Sequence, residues 1–469
     1  MRDEDTPIEL HEKVVFNILA IDPSLEKYLP VYLHLLSIPS EVYPLPQHLQ
    51  GQELTTAILD ALAAIFILNS TNQPMVLVFE DWHWVDDVSD AALKHIIGLI
   101  APHPLMVMVV YRPEYSANWG NWSHHTPIIL NAINDQNCEN IIKSIWNVEH
   151  LPNGMVPVIH ERTGGNPFFV EELSSALIEE GTVQLKDKKA IVTKSIENLS
   201  FPTTIQAVIR ARLDRLDGSA RESLRLASVI GREFTRRILE QISDSTEMLS
   251  ASLETLKGLE LIQQTRVVPE AEYLFKHAIT QEVTYETLLK LKRKELHGLV
   301  GQAIEKLYMD RLEEFYEMLA FHYWRAKDWS RAYRYNRGAG LKALSLSAYI
   351  ETQSYLEAAL EALKSLPRTR THFEQEIDLR FNMRSALFPL GKHNDWADHI
   401  RKAEFRAREI SDNARLANCQ NYLSAYHFIL GRHKEAIRVA EEALRLAELF
   451  GDFSVEVTIR YHLGIPLYY

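Results

Sequence analysis

The sequence predicts a mainly helical protein with one small α/β segment early in the chain and an array of repeated helix pairs at its end. Three observations predict it. Glycine supplies 18 of 469 residues, about 4% against an average near ~7%, and the chain is rich in Ala, Leu, Glu and Arg, which favour helix over strand and turn. Two continuous apolar runs, Met75-Val76-Leu77-Val78-Phe79 and Leu105-Met106-Val107-Met108-Val109-Val110-Tyr111, stand one helix apart. A stretch that begins at Gly391 recurs at Gly431, an offset of 40 residues, which is the mark of a helical repeat.

Residues 8–40 read as short helices broken by Pro23, Pro30 and Pro39. Residues 53–68 read as an apolar helix ended by the polar turn Asn69-Ser70-Thr71-Asn72-Gln73-Pro74. Each apolar run then reads as a strand buried on both faces of a parallel sheet, with a helix over 89–100 between them, a βαβ unit. Beyond Asp135 the pattern is helix after helix, with one short hairpin near 261–275.

At roughly 150 residues per domain the length allows about three domains. Fifty basic against 63 acidic side chains leave a net charge of −13, which argues against wrapping nucleic acid or coating an anionic membrane. Hydrophobic residues at 46% and charged residues at 24% exclude wholesale disorder. Cys138 and Cys419 are too few and too far apart for a disulfide framework or a CxxC metal site, so both are expected reduced and the location cytoplasmic. The acidic start lacks the basic flank and apolar run of a signal peptide. The apolar stretches at 57–68 and 105–111 fall short of the ~20 residues that span a bilayer, so no membrane segment is expected.

Open α/β sheets bind ligands beyond the carboxyl ends of their strands. The first strand ends in Glu80-Asp81, paired carboxylates able to hold Mg²⁺ and orient water. The second ends in Tyr111-Arg112-Pro113-Glu114, whose arginine stands where it can read a terminal phosphate. The plain alternative is that the acids cap the next segment and Arg112 forms a salt bridge with Glu80 or Asp81.

The stretch Leu77-Val78-Phe79-Glu80-Asp81-Trp82-His83-Trp84-Val85-Asp86-Asp87-Val88-Ser89 resembles the Walker B segment of bacterial signal-transduction ATPases of the STAND class, which accompany adenylate cyclase or transcription-regulator domains. Further matches follow in that family's order. Val109 to Tyr115 resembles its sensor 1 strand, and Thr163-Gly164-Gly165-Asn166-Pro167-Phe168-Phe169 with Val170 to Leu173 resembles its GxP segment. Residues 199–216 with 227–234 resemble the start of its winged-helix domain, and Phe275-Lys276-His277-Ala278-Ile279-Thr280-Gln281 through Tyr285 the end of it. The five segments cover residues 1–302. The resemblance implies that Glu80 and Asp81 hold magnesium and polarise water as the catalytic pair, that Arg112 senses the terminal phosphate, that Pro167 packs on adenine, and that His277 touches the nucleotide's phosphates. Plainer readings stand beside two of these: Gly164-Gly165-Asn166-Pro167 is also a good loop-to-helix turn, and a lone helical histidine is most often a packing residue.

An ATPase needs a GxxxxGK[ST] loop to cradle phosphates, and these 469 residues contain none. The Gly391-Lys392 pair is preceded at the required spacing by Ala386 and followed by His393. In the resembled family that loop lies upstream of a stretch like 8–39, so the chain is expected to start just after it. The repeat array, 311–469, resembles tetratricopeptide repeats with elongated helices: Ala436, Ala440 and Ala443 are small residues where paired helices would cross, and Lys327-Asp328-Trp329-Ser330-Arg331-Ala332 and Ala348-Tyr349-Ile350-Glu351-Thr352 start looser copies. The rival is a plain helical bundle. Tyr461-His462-Leu463-Gly464 resembles the first helix of a further repeat, so a cut is expected at the end too.

Weaker constellations remain. His83 with Asp86 and Asp87 reads as loop ordering rather than a metal site. The run Arg210, Arg212, Arg215, Arg221, Arg225, Arg232, Arg236, Arg237 is interleaved with acids and reads as a solvated helical face rather than a DNA surface. The expected organisation is a partial α/β nucleotide-binding domain of P-loop type without its loop (1–135), a helical GxP subdomain (136–205), a winged-helix-like domain (206–310) and tetratricopeptide-like repeats (311–469). The expected function is that of a fragment of a regulatory switch driven by ATP or ADP with Mg²⁺ and coupled to protein partners held by the repeats, and the chain by itself is expected not to hydrolyse ATP. The second expectation is a repeat-based adaptor that works without nucleotide. A third, DNA binding through the winged helix, rests on fold alone.

Overall fold

The computed structural model describes residues 7–116, 124–186, 188–193, 204–243, 248–267, 270–450, 456–457 and 459–460. They form two units, Met1–His124 with Tyr308–Tyr469, and His125–Leu307. The expected further repeat at 461–464 and the segment 199–203 lie outside the described residues.

In the first unit the proline-broken start forms α1 (Pro7–Ile21) and α2 (Leu29–Leu35), separated by a 3-10 turn over Pro23–Tyr28. Asp22 caps that turn, accepting from the Ser24 N–H at 2.7 Å, and both prolines sit in first turns, where a missing N–H is harmless. The next helix, α3 (Gln52–Asn72), runs through the polar residues expected to break it. The Ser70 and Thr71 hydroxyls donate to the Ile67 and Leu68 carbonyls, each at 2.7 Å, and so are satisfied inside the helix. It stops before Pro74, which disfavours helical geometry at Gln73. At 21 residues and a mean hydropathy of 1.6, α3 is long and apolar enough to cross a membrane by length and composition, a longer apolar helix than the sequence suggested. Here it shares a core with α1 and α2, and Tyr32 Oη donates to the Ala61 carbonyl at 2.6 Å.

The two apolar runs form β1 (Met75–Phe79) and β2 (Leu105–Val109), linked through α4 (Asp87–Leu99). They pair in parallel, Met75 opposite Leu105 and Phe79 opposite Val109. Met75, Leu77, Leu105 and Val107 pack against α3 and α4. The strands expected to be buried on both faces are covered on one among the described residues: Val76, Val78, Met106, Met108 and Val110 on the other face are 43–58% exposed. The reason is that α3 and α4 both lie on the same side of the pair.

The second unit starts with α5 (Asp135–Trp146), α6 (Met155–Thr163) and α7 (Pro167–Glu179), which share a core around Trp146, Ile159 and Leu173. A hairpin the sequence reading missed follows, β3 (Val183–Lys186) with β4 (Lys189–Val192). Four short helices, α8 (Ile205–Arg215), α9 (Gly218–Ile230), α10 (Arg236–Ile242) and α11 (Leu249–Gly258), surround β5 (Glu233–Thr235). The expected hairpin is β6 (Ile262–Arg266) with β7 (Glu272–Phe275), and β5 adds to it in the antiparallel order β5-β7-β6. Helices α12 (Ala278–Glu286) and α13 (Lys290–Leu307) close the unit.

The first unit resumes as consecutive antiparallel helices: α14 (Tyr316–Ala326), α15 (Trp329–Ser345), α16 (Tyr349–Lys364), α17 (Arg370–Leu387), α18 (His393–Glu409), α19 (Asn413–Ile429) and α20 (His433–Phe450). Ala436, Ala440 and Ala443 are fully buried at the α19–α20 seam, and a Cβ on Gly340 would lie 2.9 Å from Leu356 Cδ2. Small residues thus set the close approach. Trp396, fully buried, anchors an apolar core that runs from α16 to α20. Within this unit the array touches the earlier segment: His34 Nε2 lies 3.1 Å from the Ser345 carbonyl oxygen.

Candidate functional site

The expected site residues fall into two constellations, one in each unit. In the first unit the strand ends carry Glu80 and Arg112. The Val110 N–H donates to the Phe79 carbonyl at 2.8 Å and the Trp82 N–H to the Val110 carbonyl at 3.0 Å, which ties the two strand exits together. Asp81 takes the left-handed conformation at φ 54°, one that Asp tolerates better than most residues, and so turns the chain sharply after β1. Asp86 is committed to structure: as N-cap of α4 it accepts from Ser89 N at 2.8 Å and Ser89 Oγ at 2.6 Å.

Glu80 is exposed and has no hydrogen-bond or ion-pair partner among the described residues. Arg112 does not form the salt bridge that was its plain alternative; its guanidinium lies over the Trp84 ring, 5.7 Å from the centroid, and makes no ion pair among the described residues. His83 has both ring nitrogens buried without a partner among the described residues, and its ring lies 4.6 Å from that of Trp84 at 46°. Among the described residues no three His, Cys, Asp or Glu side chains are arranged to hold a metal ion.

Sequence reasoning missed Asp90, the residue that fixes this region. It accepts from Tyr115 Oη at 2.6 Å and Trp82 Nε1 at 3.2 Å, and pairs with Lys94 Nζ at 2.7 Å. Burial pushes its carboxyl up, but the bonds from Lys94, Tyr115 and Trp82 together hold it below the usual carboxylate value. The signal available was the 3.6-residue spacing of Asp90 with Asp86 and Asp87 at a helix start.

In the second unit the GxP segment is a built turn. Gly164 and Gly165 both have positive φ, 59° and 68°, and a Cβ on Gly165 would lie 2.6 Å from the Ile133 carbonyl oxygen, so that position requires glycine. Asn166 caps α7, accepting from the Phe169 N–H at 3.1 Å, and Pro167 opens the helix. Phe168, the next residue, lies against His277 with ring centroids 3.7 Å apart and 30° between planes. Two expected site segments more than a hundred residues apart are therefore in contact. Phe168 itself was overlooked because one aromatic after a turn motif is commonplace in a helix start.

His277 is the N-cap residue of α12 but makes no capping bond with its side chain. Burial above all, then the charges of Lys276 and Arg232, hold its imidazole down at about 4, so it is neutral at pH 7. Nearby, Arg212 joins α8 to α7 through Glu172 at 2.7 Å and Glu179 at 3.3 Å, and donates to the Leu259 carbonyl at 3.2 Å. The arginine-rich run is mostly consumed this way: Arg215 pairs with Glu179 and Glu180, Arg236 with Glu240, and Arg221 donates to the Leu213 and Leu216 carbonyls at the end of α8. Arg212 is thus buried in an ion pair instead of lying on the solvated face expected of it.

No protein-family profile matches the chain. An uncharacterized protein from Rhizobium meliloti (strain 1021) is 27% identical over 329 residues, which are 67% of this chain and 30% of that protein. The chain therefore spans about a third of the length of that curated relative. Among solved structures, a Signal Transduction ATPase with Numerous Domains (STAND) protein with a tetratricopeptide repeat sensor, from Pyrococcus horikoshii, is similar at a TM-score of 0.39 and 14% identity, over 94% of this chain and 72% of that one.

Proposed function

We propose that this chain belongs to a regulatory ATPase of the STAND kind, a nucleotide-dependent switch coupled to repeat-mediated protein binding. The observation that carries the reading is the contact of Phe168, next to Pro167, with His277. It draws the adenine-side and phosphate-side segments of the resemblance into one place, with Lys276 and Arg232 supplying positive charge around the imidazole. The strand-end groups of the first unit, taken by themselves, suit a phosphate with its magnesium. Magnesium is held by one or two carboxylates together with phosphate oxygens, and Glu80 and Asp81 are hard oxygen donors of that type, with Arg112 unpaired beside them. At the strand exits a magnesium-bound phosphate would supply the charge that Arg112 senses, and at the α7–α12 junction ATP or ADP would supply the charge that His277 senses.

Coupling to the repeats is proposed to run inside the first unit. Burial, and then the charges of Asp86 and Asp87 at the start of α4, push the Glu351 carboxyl of α16 upward. In this reading a shift of the α4 start would change the field at the array.

The 469 residues lack a GxxxxGK[ST] loop, and charge-assisted phosphate contacts are worth ~1.5–3 kcal/mol each, so the chain alone is proposed to be catalytically silent. The test is titration of ADP and ATP into the protein made from its complete coding sequence. Asp81→Ala with Arg112→Ala is expected to abolish binding; unchanged affinity removes the strand-end assignment. The same missing loop favours a second reading, a cytoplasmic adaptor that works through its repeats without nucleotide. Partner capture indifferent to ADP, ATP and the double substitution would select it.

A further inference from the structure

Helices α15, α17 and α19 lie in one layer of the array, and each contributes a half-buried ring to its surface: Tyr333, Phe381 and Tyr422. Phe381 and Tyr422 meet edge to face, centroids 5.3 Å apart at 76°. Helices α15 and α17 are in contact, and burial pushes the Tyr333 hydroxyl upward against the opposing charge of Arg337. Arg415 of α19 holds Asp378 of α17 through two bonds of 2.8 and 2.9 Å and turns its remaining arm to Asp412 at 2.7 Å. The result is an aromatic pair across α17 and α19, with Tyr333 of α15 on the same core and Arg415 pinning α17 to α19.

Arg384 of α17 breaks the pattern of satisfied charge. Its guanidinium lies 4.6 Å from the Tyr422 centroid and 5.8 Å from that of Trp396. Its Nε is shut away from water with nothing accepting from it, and no carboxylate pairs with it among the described residues. Burial lowers its pKa, in keeping with a charge short of solvent and counter-ion. Elsewhere in the array shielded guanidiniums are neutralised: Arg380 by Glu376 at 2.6 Å, and Arg406 by Glu376 at 3.1 Å and Glu409 at 2.7 Å. Arg337 of α15, exposed on the same layer, also has no ion pair among the described residues.

A shielded cation without a counter-charge is unfavourable and calls for one from outside. A guanidinium stacked on an aromatic face keeps its N–H edge for a carboxylate fork. We propose that the α15–α17–α19 face binds an acidic peptide, one carboxylate seated on Arg384 and an adjacent apolar side chain laid against Phe381 and Tyr422. Arg337 extends the positive rim for a second acid. The proposal rests on the repeats being the protein-binding part of the switch, and it makes no use of nucleotide.

The experiment titrates the 469-residue chain, without nucleotide, into a fluorescein-labelled hexapeptide, Glu-Leu-Glu-Phe-Asp-Asp, followed by anisotropy. Arg384→Met is expected to weaken binding by about tenfold or more, and the Gln/Asn version of the peptide to lose affinity to the same degree. Arg384→Met is also expected to melt no lower than the unchanged chain, because a shielded unpaired charge is removed while the stem still packs. Equal binding by Arg384→Met or by the amide peptide, no binding by the unchanged chain, a lowered melting temperature, or competition by heparin as effective as by the peptide would each overturn the proposal. Self-association lost in Arg384→Met would reassign the face to a second copy and overturn it as well. Failure here with ADP binding intact leaves the nucleotide reading standing.

Discussion

The strand exits around Glu80 and the α7–α12 junction around His277 are built in opposite ways. At the strand exits Glu80 and Arg112 are exposed and without an ion pair among the described residues, and the structure around them is held by others, Asp86 as a cap and Asp90 as a hub. At the junction the named groups are themselves part of the packing: Phe168 stacks on His277, Gly165 takes a conformation only glycine suits, and Arg212 with Glu172 forms a shielded ion pair beneath. The difference teaches that the two constellations answer to different experiments. Substitutions at the junction report on stability as well as binding, whereas those at the strand exits report on binding alone.

The largest effect that sharpens this contrast is Arg212→Ala. It strands Glu172, whose side chain is 12% exposed, and removal of one partner of a buried pair costs about 3 kcal/mol or more; urea denaturation of the chain should show that loss in the second unit. Gly165→Ala comes next. The added Cβ meets the Ile133 carbonyl oxygen at 2.6 Å in a left-handed backbone, with an expected cost of about 2 kcal/mol in the same assay. By contrast, Glu80→Gln with Arg112→Ala should change stability by no more than about 0.5 kcal/mol; a loss as large as that of Gly165→Ala would erase the distinction drawn here.

A subtler prediction concerns pH. The His277 imidazole is held down at about 4, so between its ordinary value of 6.5 and 4 the unfolded chain takes up a proton that the folded unit refuses. Its contribution to stability is therefore complete above pH 6.5 and is lost as pH falls toward 4. His399 of α18, also held at about 4, first by burial and then by Arg380 and Lys402, gives the other unit the same direction. The readout must be local: an NMR titration of the His277 ring should show its midpoint well below 6.5, and His277→Gln should flatten the pH dependence of the second unit.

Much of the architecture could be read in the sequence because it depends on local pattern. The two apolar runs pair as parallel strands, and the 40-residue recurrence is a pair of helical hairpins whose alanines lie fully buried. Reading failed where distant chain decides the outcome. Ser70 and Thr71 look like a turn but bond back into α3. An apolar strand looks buried on both faces whatever covers it, so the bare side at Val76 and Met106 had no sequence signal. The contact of Phe168 with His277 and the unpaired state of Arg384 are properties of tertiary placement, and neither follows from spacing.

The measurement closest to the central claim is the affinity of a fluorescent ADP analogue for the protein made from its complete coding sequence, with and without His277→Ala, each checked by thermal melting at pH 7. The account predicts affinity lower by about tenfold or more with the fold retained. Equal affinity in the two proteins would contradict it and leave the junction as packing alone.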